Sequence, residues 1–373
     1  MSIWKHADWW GAPPQAKVSL GEGGTPLIRS VRLGRELGLN QLWFKCEGAN
    51  PTGSYKDRFA AAAVSHLQRD GKKICLGTSS GNTGAALAAY CARAEIACVL
   101  AIVEGAPEGK LRQMLAYGAH LFRIKNFGSS PSVNSEVING LRGLAGDLGA
   151  GFEISAFACS PRGMSGVQTL GFEIAEAFSS EGVLGADTEI NVFSPAGGGG
   201  LTLAVARGFT TAAAHGAWPG RARIHCVQPA GNDTMATALR DGSVRARAVE
   251  SRTAISGLQV GSVIDGDAVI EACRRSGGQG HAVTDERVWE WQGRLARAEG
   301  IFSEPAGAVA LAGVEAALAR GELHPDDTVV CLVTGSGFKD ERSLVRMTGD
   351  NIAPLVDGFA AFAAKARSSL AAS

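Results

Sequence analysis

Lys56 follows Asn50-Pro51-Thr52-Gly53-Ser54-Tyr55, in which Pro and Gly mark a turn, and it precedes Asp57, where a helix is predicted to begin. A lysine at a helix N-terminus gains nothing from the positive end of the dipole. The position therefore asks for another reason: a nucleophilic amine that forms a Schiff base, or an ordinary solvated lysine. Gly77-Thr78-Ser79-Ser80-Gly81-Asn82-Thr83-Gly84 joins an apolar run to an alanine-rich one. Capping accounts for one such side chain at a helix start. A whole run of hydroxyls and amides makes a cradle for an anion or a ring oxygen.

Ser194-Pro195-Ala196-Gly197-Gly198-Gly199-Gly200-Leu201 places four glycines directly after an apolar run. Without side chains, their N–H groups can wrap a phosphate. The run is either a flexible linker or a ligand cradle, and linkers seldom join a buried strand to a helix so tightly. With neither a GKS/GKT element nor a GxGxxG and following acid, a monophosphate is the natural ligand of such a cradle. Thr334-Gly335-Ser336-Gly337-Phe338-Lys339-Asp340 is either a plain turn or a loop whose Thr334 hydroxyl meets a heteroaromatic nitrogen. Glu304-Pro305-Ala306 offers a carboxylate to the same crevice, or simply first-turn charge on a helix. One lysine, a monophosphate cradle, a hydroxyl-and-amide loop and a terminal Thr loop together describe a phosphate-bearing aromatic aldehyde held as a Schiff base: pyridoxal 5'-phosphate.

Such loops need strands behind them and helices ahead. Apolar runs predict strands at 42–45, 73–76, 96–103, 120–124, 189–193, 223–228 and 328–333. Between them, helices are predicted at 57–69, 82–93, 110–117, 166–178, 201–213 and 306–319, with an Ala-rich surface helix at 359–373. This alternation implies an α/β protein of parallel sheets with helices on both faces, whose ligands sit at the strands' carboxyl ends.

The chain has 373 residues, 45% hydrophobic and 19% charged, enough for about two domains with ample core. Its 50 glycines are about twice the usual share and follow no collagen period, so they serve turns and close backbone approaches. Lys plus Arg and Asp plus Glu each number 36, and no basic stripe invites nucleic acid. The eight cysteines, Cys46, Cys75, Cys91, Cys98, Cys159, Cys226, Cys273 and Cys331, form no CxxC pair. They are expected to be buried free thiols, with no clustered metal ligands. No run approaches the ~20 apolar residues of a membrane span. The N-terminal stretch has no signal-like apolar core, so a cytoplasmic protein is expected.

In family order, the motifs resemble those of fold-type II pyridoxal-phosphate enzymes: tryptophan synthase β, cysteine synthase and the serine/threonine dehydratases. Within that group they are most similar to threonine synthase. The match runs through Gly21-Glu22-Gly23-Gly24-Thr25-Pro26-Leu27 and Lys45-Cys46-Glu47-Gly48-Ala49-Asn50 into the lysine motif ending at Arg58. It continues in Ser79-Ser80-Gly81-Asn82-Thr83, the four-glycine loop, Glu304-Pro305-Ala306 and the loop from Thr334 to Asp340.

The resemblance implies a tryptophan synthase β-like fold: a large cofactor-binding α/β domain from 1–53 and 162–373, with a smaller inserted α/β domain at 54–161. Lys56 becomes the Schiff-base lysine and proton shuttle, and Asn82 the partner of the cofactor's ring hydroxyl oxygen. Gly197, Gly198, Gly199, Gly200 and Leu201 hold the phosphate, and Thr334 faces the pyridine nitrogen. Ser79, Ser80 and Thr83 meet the substrate's carboxylate or leaving group. The implied activity is conversion of O-phosphohomoserine and water into threonine and phosphate, by γ-elimination and β-addition of water, in a homodimer.

Threonine synthases commonly bind the substrate phosphate through a pattern like NSxNPxRxEGQ. The corresponding stretch here is Phe157-Ala158-Cys159-Ser160-Pro161-Arg162-Gly163-Met164-Ser165-Gly166. Phe157 and Ala158 replace the polar pair, and the arginine is shifted to Arg162, the expected substrate-binding cation. Ser336 stands where His is frequent and Tyr55 where Phe is frequent, while Glu304 to Val309 looks more like a dehydratase. These departures keep open a β-eliminating or β-replacing relative, dehydratase-like or cysteate synthase-like, acting on a β-substituted amino acid. A non-catalytic cofactor carrier is disfavoured, because the lysine and the phosphate loop are both intact.

Overall fold

The structure, a computed structural model, describes residues 2–106, 108–180, 188–349 and 353–371. Among them the strands are β1 (Leu27–Arg29), β2 (Gln41–Cys46), β3 (Ile74–Thr78), β4 (Ala97–Val103), β5 (His120–Ile124), β6 (Gly151–Glu153), β7 (Glu189–Pro195), β8 (Arg221–Pro229), β9 (Gly280–Val283) and β10 (Thr328–Val333). A six-stranded sheet runs β1-β2-β10-β7-β8-β9, parallel except where β1 pairs antiparallel with β2. A second sheet, β5-β4-β3-β6, is parallel throughout. Burial explains the preference. Residues Val329, Val330, Cys331, Leu332 and Val333 of β10 are all buried, as only a strand covered on both faces can be.

Small residues bring the covering helices close. Ala60, Ala61, Ala62 and Ala63 on the Lys56–Arg69 helix expose nothing. A Cβ on the neighbouring Gly166 would lie 2.5 Å from the Arg58 carbonyl oxygen, so that crossing tolerates no side chain.

The alternation did not predict β1, β6 or β9, each three or four residues long, or the helices Pro131–Asp147, Gly266–Ser276, Asp285–Glu299 and Glu341–Thr348. Strands that short carry too little periodicity to register. The expected 166–178 helix opens as a 3-10 turn, Gly166–Gln168, before the α-helix Thr169–Ser180. The expected tail helix is Gly358–Ala371 and largely exposed; residues 372 and 373 of that expectation lie outside the described residues. All eight cysteines are free thiols, with Cys46 and Cys159 half-buried and the rest buried.

Beneath the lysine loop lies a buried ionic network that explains much of the motif. Arg58 is fully buried and grips Glu47 with Nε and Nη2, at 2.7 and 2.8 Å. Its Nη1 and Nη2 donate to Glu173 at 2.6 and 2.8 Å, and Lys45 Nζ donates to the same carboxylate at 2.6 Å. Thr25 and Asn50 complete Glu47's partners. Burial alone would raise the pKa of Glu47 and of Glu173, but the Arg58 charge overrides it and holds both below their ordinary values. Two acids against one arginine and one lysine leave the cluster balanced in charge. The turn itself is clamped by Asp57, which accepts from Thr52 N at 3.0 Å and Thr52 Oγ1 at 2.7 Å.

Candidate active site

β2, β10 and β7 are neighbours in the large sheet, so the loops leaving their carboxyl ends must lie side by side. Those loops are the lysine turn, the Thr334 loop and the four-glycine run. Backbone bonds fasten the first two together: Tyr55 N donates to Thr334 O at 3.1 Å, and Ser336 N to Gly53 O at 2.9 Å. The hydroxyl loop, at the carboxyl end of β3, faces them from the second sheet. Between lies a cavity of about 440 Å³.

Lys56, the first residue of its helix, presents its amine to this space. Its Nζ donates to Ser155 Oγ at 2.7 Å, and Ser155 Oγ is 2.9 Å from Thr83 Oγ1. Lys56 Nζ also sits 4.5 Å from the centre of the Tyr55 ring. The lysine is thus held by a chain of hydroxyls rather than by a carboxylate.

At the glycine run, Gly199 has φ +95°, and a Cβ there would lie 2.6 Å from Val269 Cγ2, so position and conformation both demand glycine. No side chain caps the Gly200–Ala214 helix that follows. Its first-turn N–H groups therefore remain for whatever occupies the cavity.

Asn82 Nδ2 donates to Glu304 Oε1 at 2.8 Å in the cavity wall. Burial pushes the Glu304 carboxyl up to about 7, against the opposing pull of Lys110, Lys339 and the Asn82 bond. A folded pKa above the unfolded value means the native state holds the proton more tightly. This group's contribution is therefore favourable below the unfolded pKa of about 4.3 and falls as pH rises to about 7. Glu304→Gln should accordingly flatten the decline in melting temperature between pH 5 and pH 8. A variant as pH-sensitive as the parent would count against a buried, titrating carboxyl here.

Lys56, Ser79, Ser80, Asn82, Thr83, Gly197, Gly198, Gly199, Gly200, Leu201 and Thr334 all line the one cavity. Arg162 does not. It lies in the short Pro161–Ser165 helix with its side chain half exposed, and its Nη1 is 2.9 Å from Asp70 Oδ2, beyond the far end of the Lys56–Arg69 helix. The structure thus places this guanidinium outside the cavity, drawn to a carboxylate. The N–H groups of Phe157 and Ala158 are also taken, donating to the Asp265 carboxylate at 2.8 and 3.0 Å.

Ser155, Lys110 and Ser256 are among the lining residues that escaped the sequence reading. Ser155 sits in Ile154-Ser155-Ala156 without flanking glycines, and Lys110 reads as ordinary surface charge near a helix start. Only the tertiary fold, which brings them to one cavity, reveals them.

An amine at a helix start, an uncapped glycine loop and a Thr hydroxyl at the ends of parallel strands define a cofactor-dependent α/β enzyme. Residues 18–335 match the model of the family described as pyridoxal-phosphate dependent enzyme, and the chain belongs to that family. It is 32% identical over 359 residues to a threonine synthase of Methanocaldococcus jannaschii, covering 94% of this chain and 84% of that protein. A threonine synthase of Mycobacterium leprae is 36% identical over 327 residues, covering 87% and 84%. The fold matches the processed form of threonine deaminase isoform 2 from Solanum lycopersicum with TM-score 0.70 and 22% identity, covering 93% and 92%. It also matches a fungal L-serine ammonia-lyase from Rhizomucor miehei with TM-score 0.70 and 20% identity, covering 88% and 99%.

The chain is therefore a fold-type II enzyme whose cofactor is pyridoxal phosphate. The cavity fits that group: the glycine loop leaves N–H donors free and admits no Cβ at Gly199, and the Lys56 amine opens onto the same space.

Proposed function

We propose that this chain acts as a threonine synthase, releasing phosphate from O-phosphohomoserine and adding water at the β-carbon. The observation that carries the reading is the Lys56 amine, held by Ser155 in a cavity that also contains the glycine loop and the hydroxyl loop. The threonine synthases of M. jannaschii and M. leprae, similar over most of their length, support it.

Bound there, pyridoxal phosphate supplies an electron sink for negative charge at the substrate Cα. Lys56 takes the Cα proton as general base and returns protons later. Ser155 and Thr83 hold its amine on the cavity side between transfers. The N–H groups from Gly197 to Leu201 would hold the cofactor's phosphate, Asn82 would partner its ring hydroxyl oxygen, and the Thr334 hydroxyl would offer a neutral partner to its ring nitrogen. Ser79 and Ser80 receive the substrate carboxylate.

In this reading, 54–161 is an insert carrying the smaller sheet and 1–53 with 162–373 form the large domain. The cleft between them closes on substrate, in a cytoplasmic homodimer. Among the described residues, no helix is long and apolar enough to cross a membrane.

Purified holoenzyme given O-phospho-L-homoserine should release phosphate and threonine in equal amounts, read in the same tube. No phosphate from enzyme with cofactor bound would overturn the reading. A second reading is a β-eliminating or β-replacing enzyme acting on serine, threonine or phosphoserine. Its support is the outward-turned Arg162 and the loss of the polar pair at Phe157 and Ala158.

A further inference from the structure

With Arg162 turned outward, a substrate carrying a side-chain phosphate needs another cation. Without one, a dianion at the side-chain end forgoes charge-assisted bonds, which are about twice as strong as neutral ones. Among the described residues lining the cavity, the cations are Lys56 and Lys110, and Lys56 is committed to chemistry at Cα. We propose that Lys110, seated on Ser256, forms the subsite for the substrate's side-chain phosphate and so determines specificity for a phosphorylated amino acid. This inference rests on the proposed function and names the residue that selects its substrate.

Lys110 lies in the first turn of the Glu108–Ala116 helix, and its side chain is only 16% exposed. Its Nζ contacts Ser256 Oγ and stands 3.6 Å from Asp340 Oδ2. Such an amine can pivot on its four-carbon stem toward a phosphate, which lysine binds as a point charge. The hydroxyl of Ser256 is then beside it as a second donor.

Other charges nearby are accounted for. Lys339 is spent on Thr52 O at 3.0 Å and Gln113 Oε1 at 2.6 Å. Asp340 opposes an anion, but its carboxylate also accepts from Ser343 N at 3.1 Å, which fixes it at a helix start. Glu304 is the remaining acid in the wall and is bonded to Asn82. Lys110 and Ser256 also border an adjoining cavity of about 380 Å³. A leaving group held there lies on a path away from the Lys56 amine.

The test uses holoenzyme with Lys110→Met and Lys110→Arg, each first shown to melt normally and to carry the cofactor's absorbance. Calorimetry with inorganic phosphate, O-phospho-L-serine and L-serine gives a readout independent of turnover. Lys110→Met should weaken the two phosphorylated probes by about 10- to 100-fold and leave L-serine unchanged, with Lys110→Arg restoring most of the affinity. With O-phospho-L-homoserine, the loss should fall on KM rather than kcat. Equal phosphate affinity in Lys110→Met and the parent would overturn the proposal, as would a loss confined to Arg162→Met. If the parent enzyme fails to turn over O-phospho-L-homoserine, the proposed function falls, and the difference between phosphorylated and plain serine still decides Lys110.

Discussion

Lys56→Ala is expected to remove the absorbance of the lysine-linked cofactor and to lower turnover by about 10⁴-fold or more, since on the proposed reading it deletes both the covalent anchor and the general base. The substitution itself is mild. Lys56 is the first residue of its helix, where alanine is well tolerated, and its amine bonds Ser155 rather than a buried acid. The variant should therefore fold and still capture cofactor through the glycine loop, now without the lysine linkage. Spectra with and without added pyridoxal phosphate, read beside phosphate release, separate loss of chemistry from loss of binding. A variant with unchanged activity would sink the whole assignment.

Arg58→Met is expected to have the largest effect on stability, although Arg58 does not line the cavity. It leaves Glu47 and Glu173 facing each other in the interior with Lys45 as the remaining cation of the cluster. Breaking a buried pair from one side costs about 3–5 kcal/mol. Arg58→Lys should recover little, because an ammonium cannot reproduce the fork that spans two carboxylates.

The pH profile makes the cause legible. In the parent chain the two glutamates have depressed pKa values. Their contribution is therefore full above the unfolded value of about 4.3 and is lost as pH falls through the lower folded values. Without Arg58, burial pushes the same carboxyls upward, and the sign reverses: the variant becomes more stable as pH drops from 7 toward 5. Thermal melts at both pH values check this, and a variant that melts like the parent would show that the network contributes little.

This network also shows what a motif is made of. Within Lys45-Cys46-Glu47 and Lys56-Asp57-Arg58, Lys56 alone lines the cavity. Lys45, Glu47 and Arg58 build the buried support, and Asp57 ties the turn. Functional and supporting residues are interleaved because a strand and a helix start both alternate their faces within a few positions.

The order of loops and elements was largely legible in the sequence. Apolar runs strong enough to be buried on both faces announced the parallel strands, and Gly, Ser and Thr runs between them announced loops that line one cavity. The cradle at Gly197 to Leu201, the lysine at a helix start and the Asn82 helix, predicted at 82–93 and found at Asn82–Arg93, all rest on such local signals. Local sequence carries them because turn geometry, helix starts and strand burial each depend on a few adjacent residues.

What the tertiary structure alone decided is which side chains meet across the cleft. Ser155 comes to Lys56 from 99 positions away, and Lys110 meets Ser256 across 146. Arg162, plausible in sequence as a phosphate ligand, is turned outward by Asp70. Such pairings follow from how distant segments are brought to one cavity by the tertiary fold, and no local propensity encodes a distance between segments so far apart in the chain.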